Sequence, residues 1–225
     1  MSKKPNFTAL MSVPRVGWIE TFGCLNRASR DLGFESIIVQ GVFWGHCIEN
    51  GFEEIIRRGE SKYALVADYD SVFDTDDILK LHEIIEADPT IDAICPYQVQ
   101  RESNNLIVTK DEEEAGNTYR DGVFDIKTGH FGLTLVRLSA LDRLPRPLFH
   151  STPDASGGWR EGKTCDDIYF WDQMRQYSRR ICMTDKVRIG HLQLFITWPL
   201  QKGPMHQYIA AYHQYGRPQE TKVVQ

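Results

Sequence analysis

Paired cysteines are lacking in this 225-residue sequence. Its five, Cys24, Cys47, Cys95, Cys165 and Cys182, are odd in number, widely spread and without a Cys-x-x-Cys pair. That spacing speaks against a zinc ribbon and a disulfide framework, and reads as reduced intracellular thiols. Long apolar runs are lacking too. No stretch approaches the ~18 consecutive apolar residues of a membrane-spanning helix. The basic start Met1-Ser2-Lys3-Lys4 is not followed by an apolar core of signal-peptide length. The expected location is cytoplasmic, with no transmembrane segment. A basic excess is also missing: 26 Lys and Arg face 31 Asp and Glu, a formal net charge of −5. No nucleic-acid partner held through a basic patch is expected, whereas a small phosphorylated ligand needs only a few local cations. Internal repeats and low-complexity segments are absent.

What is present centres on Tyr63-Ala64-Leu65-Val66-Ala67-Asp68-Tyr69-Asp70. A short aliphatic run closed by polar turn residues predicts a buried strand. Strands buried by helices on both faces are near-continuously apolar, and open α/β sheets keep their ligands beyond the carboxyl ends of the strands. If the backbone stays extended, Asp68 and Asp70 point the same way. Two such carboxylates repel unless a cation lies between them, and a hard divalent ion fits. The alternative is a polar strand end whose acids are solvated or cap a helix.

The elements around this run alternate. Phe7 to Val13 predicts a strand, Ile19 to about Leu32 a helix stopped by Gly33, and Ser36 to Gln40 a second buried strand. A loop from Gly41 to Gly45 carries Phe43 and Trp44, and His46 to Arg58 predicts a helix ending near Gly59. After the acid pair, Asp74 or Thr75 caps a helix with Ile78, Leu81, Ile84 and Ile85 inside. Asp74, Asp76 and Asp77 are therefore assigned to capping. Ile91 to Pro96, Leu133 to Leu138 and Ile181 to Ile189 predict further strands, and Asp166 to Tyr177 an amphipathic helix. Between Tyr97 and Thr128 the pattern is irregular, and Glu112-Glu113-Glu114 reads as a solvated face. Met205, Tyr208 or Ile209, Tyr212 and Tyr215 fit one amphipathic helix. A β-α-β-α-β order predicts a largely parallel sheet with right-handed crossovers. The length suits one α/β domain with or without an appended piece, with a core large enough to need no metal or disulfide.

Four features stand in order: Asp68/Asp70, Gly129/Gly132, Asp166/Asp167 and His191. With them the chain resembles the nucleotide-sugar-dependent glycosyltransferases of the A-type fold, in particular small family 2-like transferases of bacteria and their phages. The resemblance runs from about Phe7 to Leu192. It is carried by ALVADYDSVF, GHFGLTLVRLSALDRLPRPLF, CDDIYFWDQM and RIGHLQL. It implies an α/β, Rossmann-like, mostly parallel mixed sheet flanked by helices. It implies a single domain over 1–198, with a nucleotide-binding half at about 7–96 and an acceptor-side half at about 97–198. The tail 199–225 would pack over the site.

The same resemblance implies a sugar donor activated by a nucleoside diphosphate, UDP or GDP first, and a hydroxyl acceptor on a glycan, a lipid-linked carrier or a protein. Mn²⁺ or Mg²⁺ is the implied cofactor, held by Asp68, Asp70 and His191, with Asp68 also a candidate for the ribose. An imidazole ligand favours Mn²⁺. The paired acids imply a base that deprotonates the acceptor in inverting members, Asp167 with Asp166 second. Against this, Thr164-Cys165-Asp166-Asp167 also fits a capping box, which would fix Asp167 and leave Asp166 freer. Gly129 and Gly132 either admit backbone close to the donor or acceptor, or only turn into a strand. Arg15 would contact the base or a phosphate, Trp159 the acceptor, and Lys202 and His206 the diphosphate. Two departures stand out. Gln40 to Trp44 matches poorly where relatives read uracil, and His46 and Asn50 stand where relatives carry an Arg-Asn pair.

Rival readings are weaker. Asp68-Tyr69-Asp70-Ser71-Val72 also fits a haloacid-dehalogenase-like phosphatase with Asp68 as nucleophile, but two strands precede it where that family has none. A sugar-phosphate nucleotidyltransferase needs a glycine-rich loop that Pro14-Arg15-Val16-Gly17-Trp18 does not supply. An EF-hand counted from Asp68 puts Phe73 at its glycine and Leu79 at its last acid. A non-catalytic relative that binds glycans or nucleotides remains open.

Overall fold

Phe7–Val13, buried throughout, forms strand β1. Ser36–Gln40 (β2) and Tyr63–Asp68 (β3) flank it, both parallel to it. The computed structural model describes residues 5–14, 16–102, 105–107, 120–160, 162–200, 203–216 and 218. Arg15, Lys202 and the acidic run Glu112-Glu113-Glu114 lie outside them. Ser71–Val72 (β4), Ala93–Tyr97 (β5), Val123–Asp125 (β6), Leu133–Arg137 (β7) and Ile181–Arg188 (β8) follow, then Gly190–His191 (β9). The main sheet has the order β2-β1-β3-β7-β5-β8-β6. In it β2, β1, β3, β5 and β8 run one way, and β7 and β6 run against them. The expected mostly parallel sheet is there, with β7 inserted antiparallel at its centre.

Both faces of the central strands are covered, which is why β1, β3 and β5 carry so little polar residue. At the sheet edge β2 alternates exposed and half-buried residues and is not the buried strand expected at Ser36 to Gln40. Helix α1 (Ile19–Leu32) ends at Gly33, whose φ of 69° lets its N–H reach Ser29 O. Helix α3 (Thr75–Ala87) starts at Asp74, and Asp77 Oδ2 accepts the Asp74 N–H at 2.8 Å, as expected of a capping box. These two helices cover one face with Leu25, Ile78 and Leu81, against Tyr63, Leu65 and Ala67 of β3. Helices α2 (Trp44–Arg58) and α4 (Asp166–Gln176) cover the other with Phe52, Ile55, Phe170 and Met174, against Ala64 and Val66. Alternate β3 residues thus serve opposite cores, the two-residue period of a strand.

Beneath the carboxyl ends of the strands, aromatic rings join the loop before β7 to α2 and α4. Phe131 lies 4.8 Å from Trp171 and 5.1 Å from Trp44, and Phe149 stacks on Phe170 at 4.9 Å. The last elements are a hairpin of Phe195–Leu200 (β10) and Gly203–Tyr208 (β11), and a short helix α5 (Ile209–Tyr215). Here the structure departs from the expected single helix through Met205. Met205 pairs with Trp198 and Tyr208 with Phe195 across the hairpin. Cross-strand pairing overrides a helical period that local sequence alone would support. Among the described residues no helix is long and apolar enough to cross a membrane. Phe170→Ala should lower unfolding stability by about 3–5 kcal/mol, the usual cost of emptying a buried aromatic site, as urea denaturation will measure.

Candidate functional site

Strand β3 delivers Asp68 to the carboxyl edge of the sheet. The chain then turns at Tyr69-Asp70 and re-enters pairing at β4, so the acids are not on one extended strand. They occupy different surroundings. Asp68 is half-buried, and Trp44 Nε1 donates to its Oδ1 at 3.0 Å. Burial, and next the neighbouring charge of Asp70, pushes its carboxyl up to about 6. Asp70 is only 2% exposed. Arg101 donates to its Oδ2 through Nε at 3.0 Å and again through Nη2. Burial works to raise the Asp70 carboxyl, but hydrogen bonds from His191 and Arg101 outweigh it and hold it below the ordinary value.

His191 reaches Asp70 because β9 pairs with β4, Ser71 opposite His191. Its Nδ1 lies 2.8 Å from the Val99 carbonyl, which can only accept, so Nδ1 carries a proton. Its Nε2 faces Asp70 Oδ2 at 3.4 Å. As imidazolium it donates to that carboxylate. As neutral imidazole its lone pair faces the same oxygen, an arrangement that a shared cation relieves. Asp70 Oδ1 is buried and has no hydrogen-bond partner. Of the three expected metal ligands, Asp70 and His191 therefore come together, and Asp68 stands within reach of their charges. Among the described residues no three His, Cys, Asp or Glu side chains gather as a ready-made metal shell.

Because β7 runs antiparallel to β3, with Leu133 opposite Ala67, the residues before β7 lie at the same edge. The close approach at Gly132 is made by Gln98: a Cβ there would strike its amide. That amide donates to Ser71 Oγ at 3.0 Å and to Gly190 O at 3.2 Å, bracing the β4–β9 pair. His130 is buried, accepting the Gly132 N–H on Nδ1 at 3.0 Å and facing Pro96 O through Nε2 at 2.8 Å. Burial pushes its pKa down to about 4.

The second acid pair opens α4, but not through the expected capping box. Thr164 spends its backbone on Thr152, and Cys165 is the N-cap with no side-chain cap. Asp166 is the committed acid. Its Oδ2 accepts the Gly45 N–H at 3.0 Å and its Oδ1 the Asp167 N–H at 3.2 Å. Asp167 is half-buried, and the hydrogen bonds to its carboxyl come from the backbone of its own turn, at Ile168 and at Asp167 itself. Burial first, and then the charge of Asp166, raises its carboxyl above the ordinary value. The structure thus reverses the capping alternative: the acid tied to a distant helix is Asp166, whereas Asp167 is bonded only within its own turn.

The Asp166 contact also explains why α2 begins at Trp44, two residues before the expected start at His46. Its N-cap Phe43 offers no side chain for capping, and the acid that satisfies its first turn lies 121 residues away. A Cβ at position 45 would collide with that carboxylate. Consecutive residues Trp44 and Gly45 therefore hold Asp68 and Asp166 respectively. Sequence reasoning passed over Trp44, although an indole beside a glycine just past a strand end was the available signal. It also passed over Arg101, for which the sequence carries no signal.

Trp159 is 60% exposed, on a loop closed by the Thr152–Thr164 bridge and knotted by Asp154 Oδ1, which accepts the N–H groups of Ser156 and Gly158. His206 lies on β11 with Nδ1 3.1 Å from Thr197 Oγ1, and His46 contacts Asn50 at 3.2 Å. Arg15 and Lys202 fall outside the described residues.

Compared with known proteins, the sequence matches no family model and no curated protein. Solved structures do match. A197 from STIV has a TM-score of 0.57 at 16% identity, over 89% of this chain and 94% of that one. GalNAc-T7, solved with UDP, GalNAc and Mn²⁺, has a TM-score of 0.57 at 10% identity, over 85% of this chain and 44% of that one. The mannosyltransferase PcManGT from Pyrobaculum calidifontis, solved with GDP-Man and Mn²⁺, has a TM-score of 0.52 at 11% identity, over 84% and 57%. The chain thus spans less than half of the GalNAc-T7 structure and little more than half of PcManGT. At these identities the likeness is one of fold, and the fold is the A-type fold of glycosyltransferases.

Asp166→Ala should cost about 1–2 kcal/mol of stability by uncapping α2, measured by urea unfolding. His130 gives a pH signature. Its folded pKa lies near 4, below the unfolded value of roughly 6.5. The unfolded chain takes up a proton that the folded chain refuses, so this contribution is whole above about pH 6.5 and is lost as pH falls toward 4. Urea unfolding across that window should show a shallower slope in His130→Gln than in the wild type.

Proposed function

We propose that this chain is a divalent-metal-dependent glycosyltransferase. It moves a sugar from a nucleoside-diphosphate sugar, UDP or GDP first, to a hydroxyl of a glycan, lipid-linked or protein acceptor, with inversion. The observation that carries this reading is the Asp70–His191 pair. One imidazole nitrogen is committed to Val99, the other is turned on Asp70 Oδ2, and Asp70 Oδ1 is buried without a donor. An unpartnered buried carboxylate oxygen is costly and rare, and oxygen and imidazole ligands side by side suit Mn²⁺. The Mn²⁺ found with UDP in GalNAc-T7 and with GDP-Man in PcManGT, on the same fold, supports it.

The residues present fit such an ion. Asp70 and His191 would hold it, Asp68 stands beside them, and sites of this kind commonly complete their shell with phosphate oxygens and water. Bound there, Mn²⁺ or Mg²⁺ would offset the charge that develops on the departing diphosphate. Asp167 accepts the proton of the acceptor hydroxyl as its oxygen bonds to the anomeric carbon and the sugar–phosphate bond breaks. A carboxyl raised by burial is the better base for that step. Asp166 acts as a positioning residue, tying the start of α4 to α2. The nucleotide half is residues 7–96 and the acceptor half 97–198, with the tail beyond closing over the diphosphate. No observation favours the phosphatase reading, since Asp68 closes the third strand of a transferase fold and is held by Trp44.

Calorimetric titration of UDP and GDP with and without Mn²⁺ tests the reading. The wild type should bind one of them only with metal, and Asp70→Asn should lose that binding. Asp167→Asn should keep it while transfer falls by about 100-fold or more. Equal, metal-independent binding by wild type and Asp70→Asn would sink the proposal. Metal-dependent turnover of the sugar nucleotide separates an enzyme from a binding relative.

A further inference from the structure

We infer that Arg101 is an internal counter-ion for Asp70, displaced when metal enters and then used to grip the diphosphate of the nucleotide. This rests on the metal reading of Asp70 and His191. Arg101 follows β5 in a turn whose backbone is pinned on several sides. Gln98 is fastened to Ser71 and Gly190, the Val99 carbonyl to His191, the Gln100 N–H to Asn105 O, and the Glu102 N–H to Gln193 Oε1. The side chain is not pinned in that way. It is 53% exposed, and among the described residues its guanidinium pairs with the 3% exposed Asp70 side chain. A fixed backbone with a half-exposed side chain on one buried anion describes a group that can leave without disturbing the turn.

The choice of oxygen makes the contact competitive. Arg101 Nε and Nη2 both converge on Asp70 Oδ2, and His191 Nε2 faces that same atom at 3.4 Å. A cation shared by Asp70 and His191 needs the position that the guanidinium covers, and two cations on one oxygen repel. In the absence of metal the guanidinium has a definite use. It lies against a carboxylate that is otherwise shut off from water, and it supplies the opposite charge from the solvent side. Once displaced, the side chain stays at the mouth of the site, where its planar donors match phosphate oxygens.

The test reads Mn²⁺ and nucleotide separately. Titration of the full chain with Mn²⁺ alone, followed by calorimetry or by the electron paramagnetic resonance of free Mn²⁺, should show Arg101→Ala binding about tenfold tighter than wild type, the scale of one charge-assisted contact removed. At saturating Mn²⁺, UDP or GDP should bind Arg101→Ala about tenfold more weakly. Arg101→Gln, which keeps the stem, should behave alike, and thermal melting reports folding of each variant. Opposite signs in the two titrations cannot come from a loosened fold. Mn²⁺ binding that is equal or weaker in both variants overturns this inference alone, as does unchanged nucleotide affinity. If neither the wild type nor the variants bind Mn²⁺, the metal reading falls and this inference falls with it.

Discussion

Two carboxylates held close together in a place shielded from water repel, and the architecture around Asp68 and Asp70 is arranged about that repulsion. Each acid has a donor of its own, the Trp44 indole for Asp68 and the Arg101 guanidinium for Asp70. His191 completes the surroundings from a two-residue strand whose chief effect is to bring it opposite Ser71. Remove the acids and the pairing of β4 with β9, the Gln98 brace and the turn at 98–102 lose their common purpose. One buried anion thus explains why four separate stretches of chain meet at this edge of the sheet.

The second constraint is the start of α2. Trp44 answers to Asp68 and Gly45 to Asp166, so a single dipeptide spans both acid pairs. Positioning by adjacent residues of one helix is stiff, because the relative placement of the indole and the backbone N–H is set by helical geometry. The aromatic packing of Trp44, Phe131, Phe149 and Phe170 supports that placement from below. The two acid pairs are therefore not independent features of the sheet edge.

Much of this was legible in the sequence. The strands Phe7–Val13 and Ser36–Gln40, the helix stop at Gly33 and the cap at Asp74 follow from aliphatic runs, left-handed glycine and short acidic side chains, which act locally. Asp70 and His191 were recognisable as candidates, and the structure brings them together. What escaped was set by distant partners. Helix α2 starts early because Asp166 caps it, Met205 lies in a strand because Trp198 pairs with it, and Thr164 is paired with Thr152 one residue before Cys165, the N-cap of α4. Arg101 escaped for the same reason: its meaning lies in a carboxylate 31 residues away, met only after folding.

The antiparallel β7 has a consequence for the order of events during synthesis. It lies between β3 and β5, so those two strands never touch within the sheet. Until Arg137 has left the ribosome, the amino-terminal strands end in an open edge at β3, and β5 has no neighbour to join. The chain must keep that apolar edge out of trouble for some 65 residues after β3 is made, which at ordinary rates of elongation is several seconds. The sheet thus closes from the middle, when β7 enters between β3 and β5, rather than growing from one side.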